Sequence, residues 1–435
     1  MGNNYSDPNS GATFRVECLG GVTTFLTMAY IIFVNPSILA ETGMDKNALI
    51  AVTCIVSAVS TIVVGVFAKA PIAMAPGMGL NAFFAYTLVI GQKIEWQTAL
   101  GIVFISGLFF LILTLLGLRK RLVEAIPPSV VSAISVGIGL FIAFIGLVNL
   151  GLVVKSDTTL VSAGPLNQTV LIGLAGMLVM LVLEMLKIRG ALIAGIAVST
   201  ILAYLTGEVA VPEQFFSFNI KVEPVAFKMD IVGALKYSFF ASIFTLMFID
   251  MFDSIGTLVA CAHQAEMVDK EGKITGLDKL LSIDALATMF GALMGTSTTT
   301  SYIESAAGIE QGARKGTASI VTGLLFLVAM LFIPLVAMVP KYATAPALIM
   351  VGLFMMKEVK KIDFADISQA FPAFMIILMI ALSYSISTGL AFGFISFTII
   401  KIITGQVREV KPAMWIITVL CVLFFVVNWQ AGARI

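Results

Sequence analysis

Long apolar runs alternate with short polar breaks along the whole chain. Each run has about 20 residues with few charges, the length of an α-helix that crosses the hydrocarbon of a bilayer. The pattern predicts fifteen segments that span or enter a membrane, at 17–38, 47–69, 72–91, 98–118, 127–152, 168–187, 189–206, 232–262, 280–295, 296–312, 316–339, 343–357, 371–386, 388–404 and 411–429. Only 12% of the residues are charged, against about 25% in soluble domains. We therefore expect an all-α polytopic membrane protein.

Two of these segments are interrupted. The third contains the sequence APGMG at 75–79, and the tenth begins with seven consecutive hydroxyl-bearing residues from Thr296 to Tyr302. Small and β-branched residues favour extended backbone, so a short helix should begin only near Glu304. Extended backbone at membrane depth is tolerated where it is buried in protein or lines a polar cavity. The two breaks therefore predict a binding site, with a polar loop outside the bilayer as the alternative.

The chain also contains weak internal repeats. The sequence TGMDK at 42–46 recurs as TGLDK at 275–279, and a stretch ending at Gly207 resembles one ending at Gly405. Because the repeats keep the same order, we expect two homologous halves of seven segments, 17–206 and 232–404. An odd number of segments inverts the second half relative to the first, a plan typical of secondary transporters. One additional helix, 411–429, follows the second half.

Basic residues predict the orientation of the chain. With the N-terminus in the cytoplasm, 18 of the 26 Lys and Arg residues fall inside and 8 outside, as the positive-inside rule requires. Residues 1–14 lack a basic region followed by an apolar core, so we expect a cytoplasmic tail rather than a signal peptide. A net charge of +1 gives no support for nucleic-acid binding. Four scattered cysteines and one histidine predict no metal site or disulfide framework.

Three acids lie at membrane depth. Asp250 and Asp253 are three residues apart in one segment and should share a helix face, and Glu304 follows the hydroxyl-rich break. An ionised acid near the bilayer centre costs about 2.5–3.5 kcal/mol, so all three should face a polar interior. We predict that Asp253 and Glu304 bind a ligand and that one of them carries a proton, with a structural hydrogen bond as the alternative. For Asp250 and Asp284 the structural interpretation is favoured.

Other polar groups near the breaks could contact a ligand. The amide of Asn81, after the first break, both donates and accepts hydrogen bonds, although it could instead cap a helix. Thr257 lies one turn beyond Asp253 and could equally bond to its own helix. Because the breaks contain no basic residue, an anion would depend on helix N-termini alone. A neutral planar heterocycle with N–H and C=O groups, such as a nucleobase, fits better.

Four stretches together resemble a known family. They are VTTFLTMAYIIFVNPSIL (22–39), APGMGLNAFFAYT (75–87), FIDMFDSIGTLVA (248–260) and TSTTTSYIESAAGIEQGAR (296–314). They are similar to the AzgA-type purine permeases, the hypoxanthine/guanine/adenine branch of the nucleobase–ascorbate and xanthine–uracil permease superfamily. The resemblance implies two inverted repeats of seven segments, with short strands in segments 3 and 10. It also implies import of purine bases across the plasma membrane by proton symport, through an elevator-like movement of a core domain.

The resemblance implies a division of the chain. Residues 1–14 would form the cytoplasmic tail, 207–231 an extracytoplasmic linker and 405–435 the C-terminal helix. The core domain would comprise 15–118 and 232–340, and the gate domain 119–206 and 341–404.

The resemblance also implies roles for single residues. Asp253 matches the acid of the eighth segment, Glu304 the acid after the tenth-segment strand, and Asn81 the asparagine after the third-segment break. Thr257 stands where uracil permeases have a histidine, and Ser305 where they have an asparagine. The expected substrate-binding residues are Asn81, Asp253, Thr257, Tyr302, Ile303, Glu304 and Ser305. The proton would use Asp253 or Glu304, and no other cofactor is expected.

Two alternatives come from other functional classes. An anion transporter for sulfate or bicarbonate on the same fold predicts a site without buried carboxylates. A membrane-embedded enzyme or channel would need a nucleophile–base pair, a metal cluster or a polar pore stripe, and the sequence has none of these patterns. We therefore expect a transporter without enzymatic activity. The preferred purine, the choice of H⁺ or Na⁺, and the choice between monomer and homodimer are left open.

Overall fold

The computed structural model describes residues 14–117, 126–236, 239–268 and 274–430. The predicted tail up to residue 13 and part of the predicted basic positions, 119–121, 270, 273 and 434, lie outside the described residues.

Helices make up most of the described chain. In the first half they are α1 (Phe14–Met28), α2 (Ile31–Leu39), α3 (Lys46–Val63), α4 (Met78–Ala82), α5 (Trp96–Leu115), α6 (Pro128–Leu150), α7 (Gln168–Met185) and α8 (Ala191–Leu205). After them come α9 (Ile231–Ala234), α10 (Phe240–Gln264), α11 (Leu277–Met294), α12 (Ser305–Glu310), α13 (Gly316–Ala329), α14 (Ile333–Ala337), α15 (Lys341–Met355), α16 (Ile367–Ser383), α17 (Ile386–Ile403) and α18 (Pro412–Gln430). The strands are β1 (Met74–Pro76), β2 (Val153–Ser156), β3 (Leu160–Ala163) and β4 (Thr299–Ser301).

Several helices continue beyond these bounds in other helical forms. The π-helical stretches Val64–Ala68 and Phe83–Gly91 extend α3 and α4. Short 3₁₀ turns follow α2, α13 and α15, and another precedes α18. Nine helices of the described chain are long and apolar enough to cross a membrane, and four shorter apolar helices accompany them. The prediction of a polytopic membrane protein is confirmed.

The two predicted breaks meet in the interior. Strands β1 and β4 pair antiparallel, with Met74 opposite Ser301 and Pro76 opposite Thr299. Backbone bonds continue the ladder on both sides, from Tyr302 N to Ala73 O at 2.9 Å and from Gly77 N to Thr298 O at 3.0 Å. All six strand residues are buried. Each strand thus satisfies the backbone groups that the other break leaves unpaired.

The helices that precede the two strands hold them in the same way. On α3, Thr61 Oγ1 donates to Met74 O and accepts from Met74 N, each at 2.9 Å. On α11, Thr288 Oγ1 lies 3.0 Å from Thr299 O and 3.3 Å from Thr299 N. Met74 and Thr299 are each the first residue of their strand. The two halves therefore repeat one local design, as inverted repeats predict.

One turn before these threonines the two halves differ. Asp284 Oδ1 on α11 accepts from Ser301 N at 3.1 Å. Its counterpart on α3 is Ser57, whose buried hydroxyl has no hydrogen-bond partner in the described part of the chain. The strand position equivalent to Ser301 is Pro76, which has no N–H to donate. The acid is therefore present only in the half whose strand offers a donor.

The helices pack in two groups. In one, α15 and α16 pack on α6, and α17 packs on α16; in the other, α5 packs on α11, and α13 packs on α1 and α3. The helices α7 and α8 pack on each other and join the first group through α15. This grouping agrees with the expected gate and core parts, and the domain boundaries stay a prediction. The additional helix α18 packs against α17.

Two details differ from the predicted segments. The expected span 232–262 is divided, because Asp230 caps the short helix α9 through Gly233 N at 2.8 Å and the spanning helix begins only at Phe240. Strands β2 and β3 form a hairpin with Val153 opposite Ala163, which no segment predicted. The valines of the two strands, VVKS and LVSA, were the available signal, because β-branched residues favour strands.

Candidate functional site

A cavity of about 130 Å³ lies beside the paired strands β1 and β4, which we call the strand crossing. One wall comes from the break between α1 and α2, the start of α4, the middle of α10 and residues 300–304, and the opposite wall from α6 and α15. The lining residues are Tyr30, Gly77, Met78, Gly79, Leu80, Val131, Ile134, Ser135, Ile138, Ile249, Phe252, Asp253, Thr257, Thr300, Ser301, Tyr302, Ile303, Glu304, Val351 and Met355. Each broken segment thus contributes the residues directly after its strand.

Two of the predicted acids face this cavity together. Asp253 projects from α10 with an exposed side chain, and Glu304 lies at the start of α12. Among the described residues that line the cavity there is no lysine, arginine or histidine. The site therefore presents carboxylate acceptors without a balancing cation, an arrangement that selects N–H donors or a proton over anions.

Tyr30 is a lining residue that sequence reasoning missed. It lies in the two-residue interruption between α1 and α2 and is only 2% exposed. Its hydroxyl donates to Glu304 Oε1 at 2.5 Å, the length of a charge-assisted O–H···O⁻ bond. Tyr30 lies within the stretch 22–39, one of those that carry the family resemblance. A polar aromatic residue inside an apolar run was the sequence signal that could have identified it.

Three further predicted residues line the cavity. Thr257 lies one turn beyond Asp253, as expected. Tyr302 and Ile303 also contribute, but the Tyr302 hydroxyl is already committed to Pro76 O at 2.5 Å. Ile303 is 52% exposed and presents an apolar surface to the cavity. Tyr302 therefore stabilises the pairing of β1 with β4. Thr257 lines the cavity together with Asp253.

Ser305 and Asn81 are close to the cavity but outside its described lining. Ser305 is fully buried, and its Oγ accepts from Ala73 N at 3.0 Å. Asn81 is also fully buried: its Nδ2 donates to Asn35 Oδ1 at 2.6 Å, and its Oδ1 accepts from the hydroxyl of Ser297. This geometry ties the two breaks together and favours a positioning role for both residues. Direct ligand contact by either of them stays a prediction.

Asp250 and Asp253 do not face the same surroundings. Asp250 is fully buried and outside the cavity lining, with Oδ2 accepting from Thr288 Oγ1 at 2.9 Å. Three residues along a helix rotate the side chain by about 60°, which here separates an interior contact from a cavity. Asp284 is likewise buried and bonded to Ser254 and Ser301. Asp284 thus bonds strand β4 directly, and Asp250 bonds the neighbouring helix α11, as the structural interpretation of Asp250 expected.

Two glycines at the first break allow close approach. A Cβ at Gly77 would lie 2.8 Å from Thr300 Cγ2, and one at Gly79 would lie 2.6 Å from Ile138 Cγ2 on the opposite wall. Gly79 and Leu80 also lie in the first turn of α4, where backbone N–H groups lack intrahelical acceptors. The break therefore brings N–H donors to the cavity edge and packs directly against α6.

A comparison with family models decides the class of the protein. The model described as "Permease family" matches residues 15–392. The chain belongs to this permease family. Its match covers every element that lines the cavity, so the site lies within the shared part of the chain.

Curated relatives of this permease are similar over nearly their full lengths. The adenine permease AdeP of Escherichia coli is 39% identical over 414 residues, which cover 95% of this chain and 93% of that protein. The guanine/hypoxanthine permease PbuG of Bacillus subtilis is 41% identical over 428 residues, covering 96% and 97%. Both relatives are purine-base permeases by name, and they confirm the resemblance found in the sequence.

A solved structure confirms the fold. The transmembrane domain of the cyanobacterial bicarbonate transporter BicA aligns with a TM-score of 0.64 over 87% of this chain and 97% of that domain. Its sequence identity is 16%, so the likeness concerns architecture alone. The permease thus has two inverted repeats of seven segments, with the additional helix α18.

Proposed function

We propose that this permease is a secondary transporter that imports purine bases, namely hypoxanthine, guanine or adenine, across the plasma membrane with a proton. The observation that carries the proposal is the pairing of Asp253 and Glu304 in one cavity at the strand crossing, without a basic side chain in its described lining. The names of AdeP and PbuG support the substrate class.

A purine base matches the groups around the cavity. The carboxylates of Glu304 and Asp253 accept hydrogen bonds from ring or amino N–H groups of the base. Backbone N–H groups of Gly79 and Leu80 face its carbonyl or ring nitrogen acceptors. The ring of Phe252 and the side chain of Ile303 give apolar contacts to the flat faces. A site of this kind orients a planar heterocycle through a few polar groups within an apolar lining.

Asp253 is our candidate for the coupled proton. Its carboxyl makes no hydrogen bond to another described residue, whereas Glu304 is held by Tyr30. A carboxyl that faces the cavity freely can gain or lose a proton as the cavity changes sides. Proton binding neutralises Asp253 and lowers the free energy of moving the base-loaded site through the membrane. Transport of the base is thereby coupled to transport of the proton.

The proposed elevator-like movement is supported by the way two separate sets of elements supply the opposite walls of the cavity. The strand crossing, α10 and α12 would move together against α6 and α15, which supply the opposite wall. The orientation with a cytoplasmic N-terminus is supported by the distribution of the basic residues.

The anion alternative shares this fold with BicA. Two carboxylates in the cavity would repel sulfate or bicarbonate, and no described lining side chain is cationic. We therefore favour the purine over the anion.

Uptake of tritiated hypoxanthine, guanine and adenine into proteoliposomes tests the proposal. With an inward proton gradient we expect accumulation of at least one base, loss of accumulation on addition of a protonophore, and no competition by sulfate or bicarbonate. Accumulation that a protonophore does not affect would remove the symport proposal. Uptake of labelled sulfate without uptake of any base would replace it by the anion alternative.

A further inference from the structure

The hydroxyl of Tyr30 bonds the candidate binding carboxylate of Glu304. Tyr30 lies at the interruption that follows α1, and α1 packs on α12, the short helix that begins after Glu304. Thr27 Oγ1, one turn earlier, lies 3.4 Å from Glu304 O. The backbone and the side chain of residue 304 are therefore both held from the end of α1.

The contact with Tyr30 engages one of the two carboxylate oxygens of Glu304. A free carboxylate has two oxygens and can accept two parallel hydrogen bonds from one partner. Here Oε1 accepts from the Tyr30 hydroxyl at 2.5 Å, and Tyr30 is almost completely buried. The Tyr30 bond uses one lone pair of Oε1 and draws electron density from that oxygen, so Oε2 is the stronger of the two acceptors for a ligand in the cavity.

Purine bases differ in the number of hydrogen bonds that one edge of the ring can donate to a carboxylate. Guanine presents two adjacent donors, the ring N1–H and the exocyclic amino group, which match both oxygens of a carboxylate. Hypoxanthine presents only the N1–H on that edge, and adenine presents one amino group beside a ring acceptor. A carboxylate with one strong and one weakened oxygen therefore separates guanine from hypoxanthine less than a carboxylate with two free oxygens would.

We infer that Tyr30 is a positioning residue that sets purine specificity by weakening Oε1 of Glu304 as an acceptor for the base. The inference rests on the proposed function and deepens it, because it names the group that decides between bases at the same site. It does not require Tyr30 to touch the base.

The test is the variant Tyr30→Phe, which keeps the ring and removes only the hydroxyl. Tyr30 bonds Glu304 with or without a base, so the energy of that bond does not enter the KM directly, and the KM for hypoxanthine should stay within about threefold. Guanine gains a stronger second bond to Oε1, so its KM should fall. The preference for guanine over hypoxanthine should therefore increase by about fivefold or more relative to the wild-type protein.

The matched control is Tyr342→Phe. The Tyr342 hydroxyl on α15 has no hydrogen-bond partner in the described chain and is outside the cavity lining, so both KM values should stay within twofold. A double-mutant cycle adds a second readout: Tyr30→Phe in a Glu304→Gln background should leave the guanine/hypoxanthine preference unchanged, because the hydroxyl acts through the carboxylate. Thermal unfolding of each purified variant confirms that it is folded.

Each outcome decides the inference. A wild-type protein that takes up purines, with an unchanged guanine/hypoxanthine preference in Tyr30→Phe, overturns the role of Tyr30 and leaves the proposed function standing. A shift in that preference that persists in the Glu304→Gln background also overturns it. A wild-type protein that takes up no purine overturns the proposed function and, with it, this inference.

Discussion

Thr288 supports strand β4 and Asp250 at the same time. Its hydroxyl donates to Asp250 Oδ2 at 2.9 Å or to Thr299 O at 3.0 Å, and it accepts from Thr299 N at 3.3 Å. The other oxygen of Asp250 has no partner in the described part of the chain. Thr288→Val keeps the shape of the side chain and removes all of these hydrogen bonds. It leaves a fully buried carboxyl without any donor.

The equivalent threonine in the first half of the chain supplies the comparison. Thr61→Val removes the same two contacts to the strand backbone, at Met74, but touches no acid. Each variant should lose about 1–3 kcal/mol of unfolding free energy from the strand contacts. Thr288→Val should lose about 1–3 kcal/mol more, because an unsatisfied buried acceptor carries its own desolvation cost.

Denaturant unfolding of the purified protein in detergent micelles measures the two losses side by side. The extra loss of unfolding free energy in Thr288→Val should disappear in an Asp250→Ala background, because the carboxyl that loses its hydrogen-bond donor is then absent. Equal losses for the two valine variants, or a larger loss for Thr61→Val, would refute a stabilising hydrogen bond between Thr288 and Asp250.

Three further predictions concern transport. Gly79→Ala should lower uptake at least about tenfold, because its Cβ would lie 2.6 Å from Ile138 Cγ2; Ile138→Ala in the same chain should restore most of it, and no restoration would argue against this contact. Glu304→Gln should raise the KM for purines by about 10- to 100-fold, and a wild-type KM would remove its ligand role. Asp253→Asn should still exchange labelled base across the membrane but should not accumulate it, and gradient-driven accumulation would assign the proton elsewhere.

The membrane segments and the strand crossing could be predicted because they follow local rules. Apolar runs define the helices, and the hydroxyl run from Thr296 to Tyr302 disfavours helix wherever it lies. Repeated order along the chain then required the two breaks to meet, which the pairing of β1 with β4 confirms. The division of the expected span at 232–262 was missed because Asp230 caps a separate short helix.

The contacts of individual site residues depend on packing that the sequence does not encode locally. Tyr30 and Glu304 are 274 residues apart, and their pairing requires α1 to lie against α12. Asn81 follows a break, as a ligand-binding residue would, but the rotation of α4 turns its amide towards Asn35 and Ser297. The spacing of Asp250 and Asp253 indicated one face, whereas the position of α11 decides that only Asp253 faces the cavity.

The most direct test of a proton-coupled carboxylate site is proton movement driven by the base itself. Proteoliposomes with an internal pH-sensitive dye and no imposed gradient receive hypoxanthine, guanine or adenine on the outside. We predict internal acidification with at least one base, none with sulfate, and none in Asp253→Asn. Entry of a labelled base without acidification, or acidification on addition of sulfate alone, would contradict the account.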